Sequence, residues 1–334
     1  LYYQSNPHPV PPDIGERALR YRPPPWLRNG HVQSVWPTLF RKVDMAEPET
    51  EVLATSDGDE LHLDWYRQGS GKLAILSHGL EGHSRRPYML GLTRALLTAG
   101  WDVLAWNFRS CGGVMNLQPR FYHSGATGDL EQVVNHGLAQ SYQTLFLSGF
   151  SMGGNLTLLY LGEQSERVDS RICGAVAYSV PCDLAGSADE LAKPSRRIYM
   201  QRFLRDLHTK MHEKAKRFPE LIDVRGFDRI RNFHQFDDRY TAPLHGFRDA
   251  EDYWANCSAL NRLKDIRIPS LMVNAADDPF LSPRCFPESK ALLGRHVQLD
   301  APRWGGHVGF VEHARDGYYW SERRAIAHIQ AVTR

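Results

Sequence analysis

Residues Gly149-Phe150-Ser151-Met152-Gly153 set a serine midway between two glycines. The apolar stretch TLFLSGF leads into it and NLTLLYLG follows, so the serine falls where a strand turns sharply into a helix. On such a turn, side chains two residues before and after the serine would collide with neighbouring backbone, which accounts for both glycines. The hydroxyl then stands beside a helix N-terminus, whose free N–H groups and positive dipole end favour a developing oxyanion. Those are the requirements of a nucleophile in acyl transfer.

A serine hydroxyl is nearly inert at neutral pH and needs a histidine base oriented by a carboxylate. Two later segments supply them in the order acid, then histidine. MVNAADDPF ends an apolar run with Asp277 and Asp278, and APRWGGHVGF sets His307 in a glycine-rich loop after the next run. Asp278 is the preferred acid because it lies just ahead of the turn made by PFLSP; Asp277, the alternative, could cap or brace that turn. Asp183, in SVPCDL, is a weaker third candidate. Of fifteen histidines, His307 is singled out by its place after the last strand, whereas His234, His245 and His313 read as surface or core residues. An oxyanion hole needs a second N–H from a loop after an early strand. LSHGLEGHS offers the N–H of Leu80 to pair with that of Met152, with His78 bracing the loop. The long connection 107–130 marks a binding loop, in which Arg109 and His123 are candidate substrate-loop residues. For Arg109 an internal partner such as Asp129 is the simpler use.

These residues need a scaffold that brings strand ends together. Strand-like runs occur at 72–79, 101–108, 144–150, 172–180, 268–276 and 296–302, mostly separated by helical patterns such as RPYMLGLTRALLTAG and DLEQVVNHGLAQ. Such alternation predicts α/β architecture with a mainly parallel central sheet flanked by helices. ETEVLATSDGDELHLDWY predicts a hairpin around Asp-Gly. Between about 185 and 262 buried strand patterns lapse, while Tyr199, Phe203, Leu207 and Met211 recur at helical spacing, predicting a helical cap or lid insertion. Residues 193–217 hold nine Lys/Arg and two Asp/Glu, read as a solvated helix face. The expected organisation is residues 1–6 as a tag remnant (LYYQSN), 7–48 as a proline-rich extension packing on the domain, and 49–334 as the domain with its insert.

Composition narrows the classes. A chain of 334 residues, 42% hydrophobic and 23% charged, can bury a sizeable core. Its formal charge of +2 gives no case for nucleic-acid binding. Five scattered cysteines without C-x-x-C fit reduced thiols in a cytoplasmic compartment. QGSGKL fails as a phosphate loop, with Tyr66 at the first glycine position and Leu73 at the Ser/Thr position. MHEKAK lacks the second histidine of a zinc helix, so no metal site is expected. The uncharged run 144–162 carries too many glycines and polar residues for a membrane span.

Assembled, the motifs NGHVQSVWPTLFRK, HGLEGHSRRPY, NFRSCGG, YHSGATGDL, GFSMGGN, FDDRYTAPLHGFRDAEDYW, DDPF and GGHVGF resemble the YheT-like branch of the α/β-hydrolases over about residues 27–325. The resemblance implies a cofactor-free serine esterase or lipase-like enzyme whose triad falls on Ser151, Asp278 and His307. It suggests small-molecule ester or lipid substrates and leaves room for peripheral membrane contact. The membrane-anchoring N-terminal helix of the eukaryotic relatives has no expected counterpart here. Ser110 departs from the branch, which commonly has glycine after the arginine. The competing readings are a non-catalytic binding protein of the same fold and an acyltransferase using the same triad.

Overall fold

The computed structural model describes residues 21–312 and 316–333; LYYQSN, the rest of 1–20 and His313 lie outside these. Its longer helices and its strands follow in chain order. Helix α1 (Gly30–Phe40) precedes the hairpin β1 (Glu49–Ala54) and β2 (Glu60–Tyr66). Next come β3 (Lys72–Ser77), α2 (Pro87–Thr98), β4 (Asp102–Asn107), α3 (Thr127–Leu138), β5 (Thr144–Phe150), α4 (Met152–Gln164) and β6 (Ile172–Tyr178). The chain continues through α5 (Leu184–Ala192), α6 (Arg197–Arg217), α7 (Ala250–Cys257), β7 (Ser270–Val273), β8 (Val297–Asp300) and α8 (Trp320–Val332).

The eight strands form one sheet in the order β1-β2-β4-β3-β5-β6-β7-β8. β1 and β2 pair antiparallel, as do β2 and β4, and every later pairing is parallel. The central strands are apolar on both faces because both are covered. Leu73, Ile75, Leu145 and Leu147 pack with α3, α4 and the helices after β6. The alternate residues Ala74, Leu76 and Phe146 pack with Met89, Leu92 and Leu96 of α2 and Ile326 and Ile329 of α8. This two-sided burial fixes the sheet, so the C-terminal ends of β3, β5, β6 and β7 stay together as a platform.

Residues 179–269 carry no strand among the described residues and run mainly through α5, α6 and α7. On α6, Met200, Leu204, Leu207 and Met211 form the buried stripe, while Tyr199 and Phe203 are half-buried beside it. Between α6 and α7 the helical turns Phe233–Phe236 and Ala242–His245 are joined by a π-helical segment, Asp237–Thr241. At the other end of the chain, α1 is capped by Asn29, whose side chain accepts from the N–H groups of His31 and Val32. α1 lies against the loop holding His307.

Candidate active site

β5 ends at Phe150, and Ser151 stands between it and α4 with φ +54 and ψ −122. This is a strained conformation for a residue with a side chain, costing about 1–3 kcal/mol. The surroundings require it. A Cβ on Gly149 would lie 2.1 Å from the Gly153 carbonyl oxygen, and one on Gly153 would lie 2.3 Å from that of His78. Ser151 N–H is tied to the Tyr178 carbonyl of β6 at 2.8 Å.

Ser151 Oγ lies 2.8 Å from His307 Nε2, and His307 Nδ1 lies 2.9 Å from Asp278 Oδ2. A carboxylate only accepts, so Nδ1 carries the proton and Nε2 is left to accept from the serine hydroxyl. The Asp278 side chain is fully buried, and its Oδ1 also accepts from Phe280 N–H at 2.9 Å, which fixes the carboxylate plane. The neighbouring Asp277 points elsewhere: its Oδ1 accepts from the N–H of Gly306, one residue before the histidine, at 2.9 Å. Burial first, then repulsion from Asp278, raises the Asp277 carboxyl above the usual carboxylate range. The two aspartates hold different parts of one device, the ring and its loop.

The loop after β3 faces the same hydroxyl. Gly79 lies so close to Ser151 that a Cβ there would come within 3.2 Å of the serine Cβ. Among the described residues, neither Leu80 nor Met152 donates its main-chain N–H to a protein acceptor. Both border the cavity that Ser151 and His307 open into. His78 braces this loop: Nδ1 bonds the Gly79 carbonyl at 2.7 Å, and Nε2 accepts from Phe108 N–H at 3.2 Å. Burial pushes its pKa down to about 3, so the ring is neutral, as these two bonds need.

Two cavities meet at Ser151. One, of about 110 Å³, runs under α5 and α6 and is walled mostly by apolar side chains, among them Leu184, Ala188, Leu207, Phe236 and Phe280. His123 and Asp237 add polar atoms to that wall. Burial raises the Asp237 carboxyl to about 7, even though it accepts from Thr241 Oγ1 at 2.6 Å and Trp254 Nε1 at 2.9 Å. The other cavity, of about 240 Å³, opens between α1 and the first half of α6 and is more polar, with Arg86, Arg202 and Asp206 on its lining.

Of the two uses open to Arg109, the structure shows the internal one, with Asp129 as a partner, and not the substrate-loop one. Arg109 faces no substrate space: its buried guanidinium is spent on Asp129 (2.7 Å from Nε), Asp59 (2.7 Å) and Asp57 (2.8 Å). Asp129 was the foreseen partner, whereas the two hairpin-turn carboxylates were not. The guanidinium therefore ties the 107–130 connection to the β1–β2 turn. Three contributors lie within the motifs but carry no role that the motifs announce. Ser34 Oγ accepts the main-chain N–H of His307 at 2.8 Å, and buried Gln33 accepts from Val311 N–H at 2.9 Å. Asn155 donates to the carbonyls of Ser124 (3.0 Å) and Cys257 (2.8 Å), tying α4 to the 107–130 connection and to the end of α7.

The sheet order, the strained serine after its fifth strand and the histidine loop after its eighth define an α/β-hydrolase of the serine type. The chain belongs to the family whose model is described as serine aminopeptidase, S33, matched over residues 70–288, and within it to the YheT-like branch. It is 32% identical over 297 residues to "Putative esterase YheT" of Escherichia coli K12, spanning 85% of this chain and 84% of that one. Phospholipase ABHD3 of Bos taurus is 28% identical over 303 residues, 87% of this chain and 73% of its own. The esterase Pf2001 of Pyrococcus furiosus shares the fold, with TM-score 0.58 at 19% identity over 88% of this chain and 97% of that structure. No helix of the described residues is long and apolar enough to cross a membrane.

Proposed function

We propose that the protein hydrolyses carboxylic esters through an acyl-enzyme on Ser151. The observation that carries this is the unbroken line of hydrogen bonds from buried Asp278 through His307 to Ser151 Oγ, at 2.9 and 2.8 Å. Ser151 Oγ attacks the ester carbonyl carbon while its proton passes to His307 Nε2. Asp278 keeps the proton on Nδ1 and stabilises the imidazolium. The N–H groups of Leu80 and Met152 receive the oxyanion of the tetrahedral intermediate. Collapse expels the alcohol, which takes the proton from Nε2, and water then repeats the sequence to release the acid.

The two cavities divide the substrate. The chamber under α5 and α6 takes the acyl chain, and the cleft between α1 and α6, with Arg86, Arg202 and Asp206 on its lining, takes the leaving alcohol. The phospholipase relative favours a lipid ester as the natural substrate. The free cysteines fit a reducing, cytoplasmic setting.

The test is labelling by a fluorophosphonate. The folded protein is expected to label at neutral pH, and Ser151→Ala to lose both labelling and turnover of p-nitrophenyl butyrate. Intact protein that neither labels nor hydrolyses would make this a binding protein on a hydrolase fold. Acyl product diverted to an added alcohol in preference to water would make it an acyltransferase.

A further inference from the structure

Gly82 N–H closes a turn on the Gly79 carbonyl at 2.9 Å, with Leu80 and Glu81 as its central residues. Glu81 sits at φ +50, a conformation in which glycine is favoured. A residue with a side chain persists there when its surroundings over-determine it. Lys210 Nζ donates to Glu81 Oε1 at 2.6 Å, and the Tyr122 hydroxyl donates to the same oxygen. Glu81 N–H in turn donates to Tyr122 Oη at 3.2 Å. The Lys210 ammonium lies 4.4 Å from the centre of the Tyr122 ring and 3.4 Å from Cys111 Sγ.

This ion pair is unlike the many exposed ones on the protein. Lys210 is 6% exposed and the Glu81 side chain 11%. Burial opposes the lysine charge, but Cys111 and Glu81 beside it outweigh that and hold the ammonium above its usual range. Removing one partner of such a pair strands the other charge, whereas exposed pairs tolerate the loss. Three segments converge on one carboxylate: the turn carrying Leu80, the 107–130 connection through Tyr122, and α6 through Lys210.

We infer that Glu81 and Lys210 are positioning residues for the oxyanion site, the long helix after β6 holding in place the turn that presents Leu80 N–H. This rests on the proposed role of Leu80 as an oxyanion donor. It also means that α6 is pinned at Lys210 and cannot swing away as a lid there. Substrate must then enter beside the first half of α6, through the cleft lined by Tyr199, Arg202 and Asp206.

The test compares Lys210→Met, Glu81→Gln, Tyr122→Phe and the charge-free double variant Glu81→Gln/Lys210→Met, all in the full chain. On p-nitrophenyl butyrate, Lys210→Met and Glu81→Gln should each lower kcat about 10- to 100-fold with KM within about threefold. The double variant should be no worse than either single one, because the pair acts as a unit. A trifluoromethyl ketone, whose adduct with Ser151 carries an oxyanion, should lose affinity by the same factor as kcat/KM; a merely structural role would not move it. Where a single variant does not fold, the double variant and Tyr122→Phe (expected about 3- to 10-fold down in kcat) decide. Folded variants with wild-type kcat and ketone affinity overturn the inference, given a wild type that labels at Ser151. A wild type that fails to label overturns instead the reading beneath it.

Discussion

Ser34 Oγ accepts the main-chain N–H of His307 at 2.8 Å while donating to the Gly30 carbonyl at 2.6 Å. A helix near the start of the described chain thus supplies a support for the histidine 273 residues later. The contact is close throughout: a Cβ on Gly306 would lie 2.3 Å from the Gly30 carbonyl oxygen. Ser34→Ala leaves the His307 amide without its acceptor and the loop freer to tilt the ring. Kcat on a short p-nitrophenyl ester should fall about 5- to 30-fold with KM little changed. Thermal unfolding should show a loss of only about 1 kcal/mol. A variant that loses stability but keeps kcat would reduce Ser34 to a packing residue.

Asp277 and Asp278 are adjacent, yet their substitutions should differ by orders of magnitude. Asp278→Asn places an amide against His307 Nδ1 and favours the wrong tautomer, so kcat should drop about 10³- to 10⁴-fold. Asp277→Asn keeps an oxygen for Gly306 N–H and removes a carboxyl whose Oδ2 is buried without a partner. Its kcat should stay within about threefold of wild type. Comparable losses in both variants would show that the pair shares the orienting role.

How much of this was legible in the sequence follows from how local each signal is. The elbow was, because its signal is local: an apolar run, a serine between two glycines and a helical run, with Gly149 meeting Gly153 four residues on. That Asp278 and His307 meet was legible, because strand ends in a parallel sheet face one edge, so the loops that follow β7 and β8 come together there. Ser34 and Gln33 were not, because their partners His307 and Val311 lie 273 and 278 residues away and neither motif contains the other. Lys210 sat in a stretch whose basic excess reads as a solvated face. Lys210 and Lys214 of that stretch are instead buried, Lys214 donating to the Gln118 carbonyl at 2.7 Å. Charge counts along a helix do not say which turn of it faces inward. Arg109 shows the same limit, since the hairpin turn that saturates it is 50 residues upstream.

Asp237 gives the protein a pH-dependent stability that a substitution should remove. Its carboxyl titrates near 3.8 when exposed and, by burial, at about 7 in the folded chamber. The folded state therefore binds the extra proton between these values, and its stability contribution is present below pH 3.8 and lost as pH rises through 7. Asp237→Asn keeps an acceptor for the Thr241 hydroxyl but not for Trp254 Nε1–H, a constant cost of about 1 kcal/mol. Against that cost, the variant should gain up to about 4 kcal/mol relative to wild type between pH 4 and pH 8. Denaturant midpoints across this range measure it; parallel curves for the two proteins would mean that Asp237 stays ionised throughout.

Filling the apolar chamber should shorten the acyl chain accepted without disturbing the chemistry at Ser151. Ala188 lies on α5 beside Leu184 and Leu191, all three on the chamber wall. Phenylalanine there adds a ring to a space of about 110 Å³, so little remains for methylenes beyond the first few. Each methylene excluded forfeits about 0.8 kcal/mol of burial, and three or four together amount to more than a tenfold loss. For Ala188→Phe, kcat/KM on p-nitrophenyl octanoate should fall by at least about tenfold relative to wild type, and on the acetate by less than about threefold. If the chain instead lay in the cleft between α1 and α6, Leu39→Trp on that cleft's lining would produce the selective loss and Ala188→Phe would not. The pair of variants thus assigns the acyl chain to one side of Ser151 by measurement on soluble esters alone.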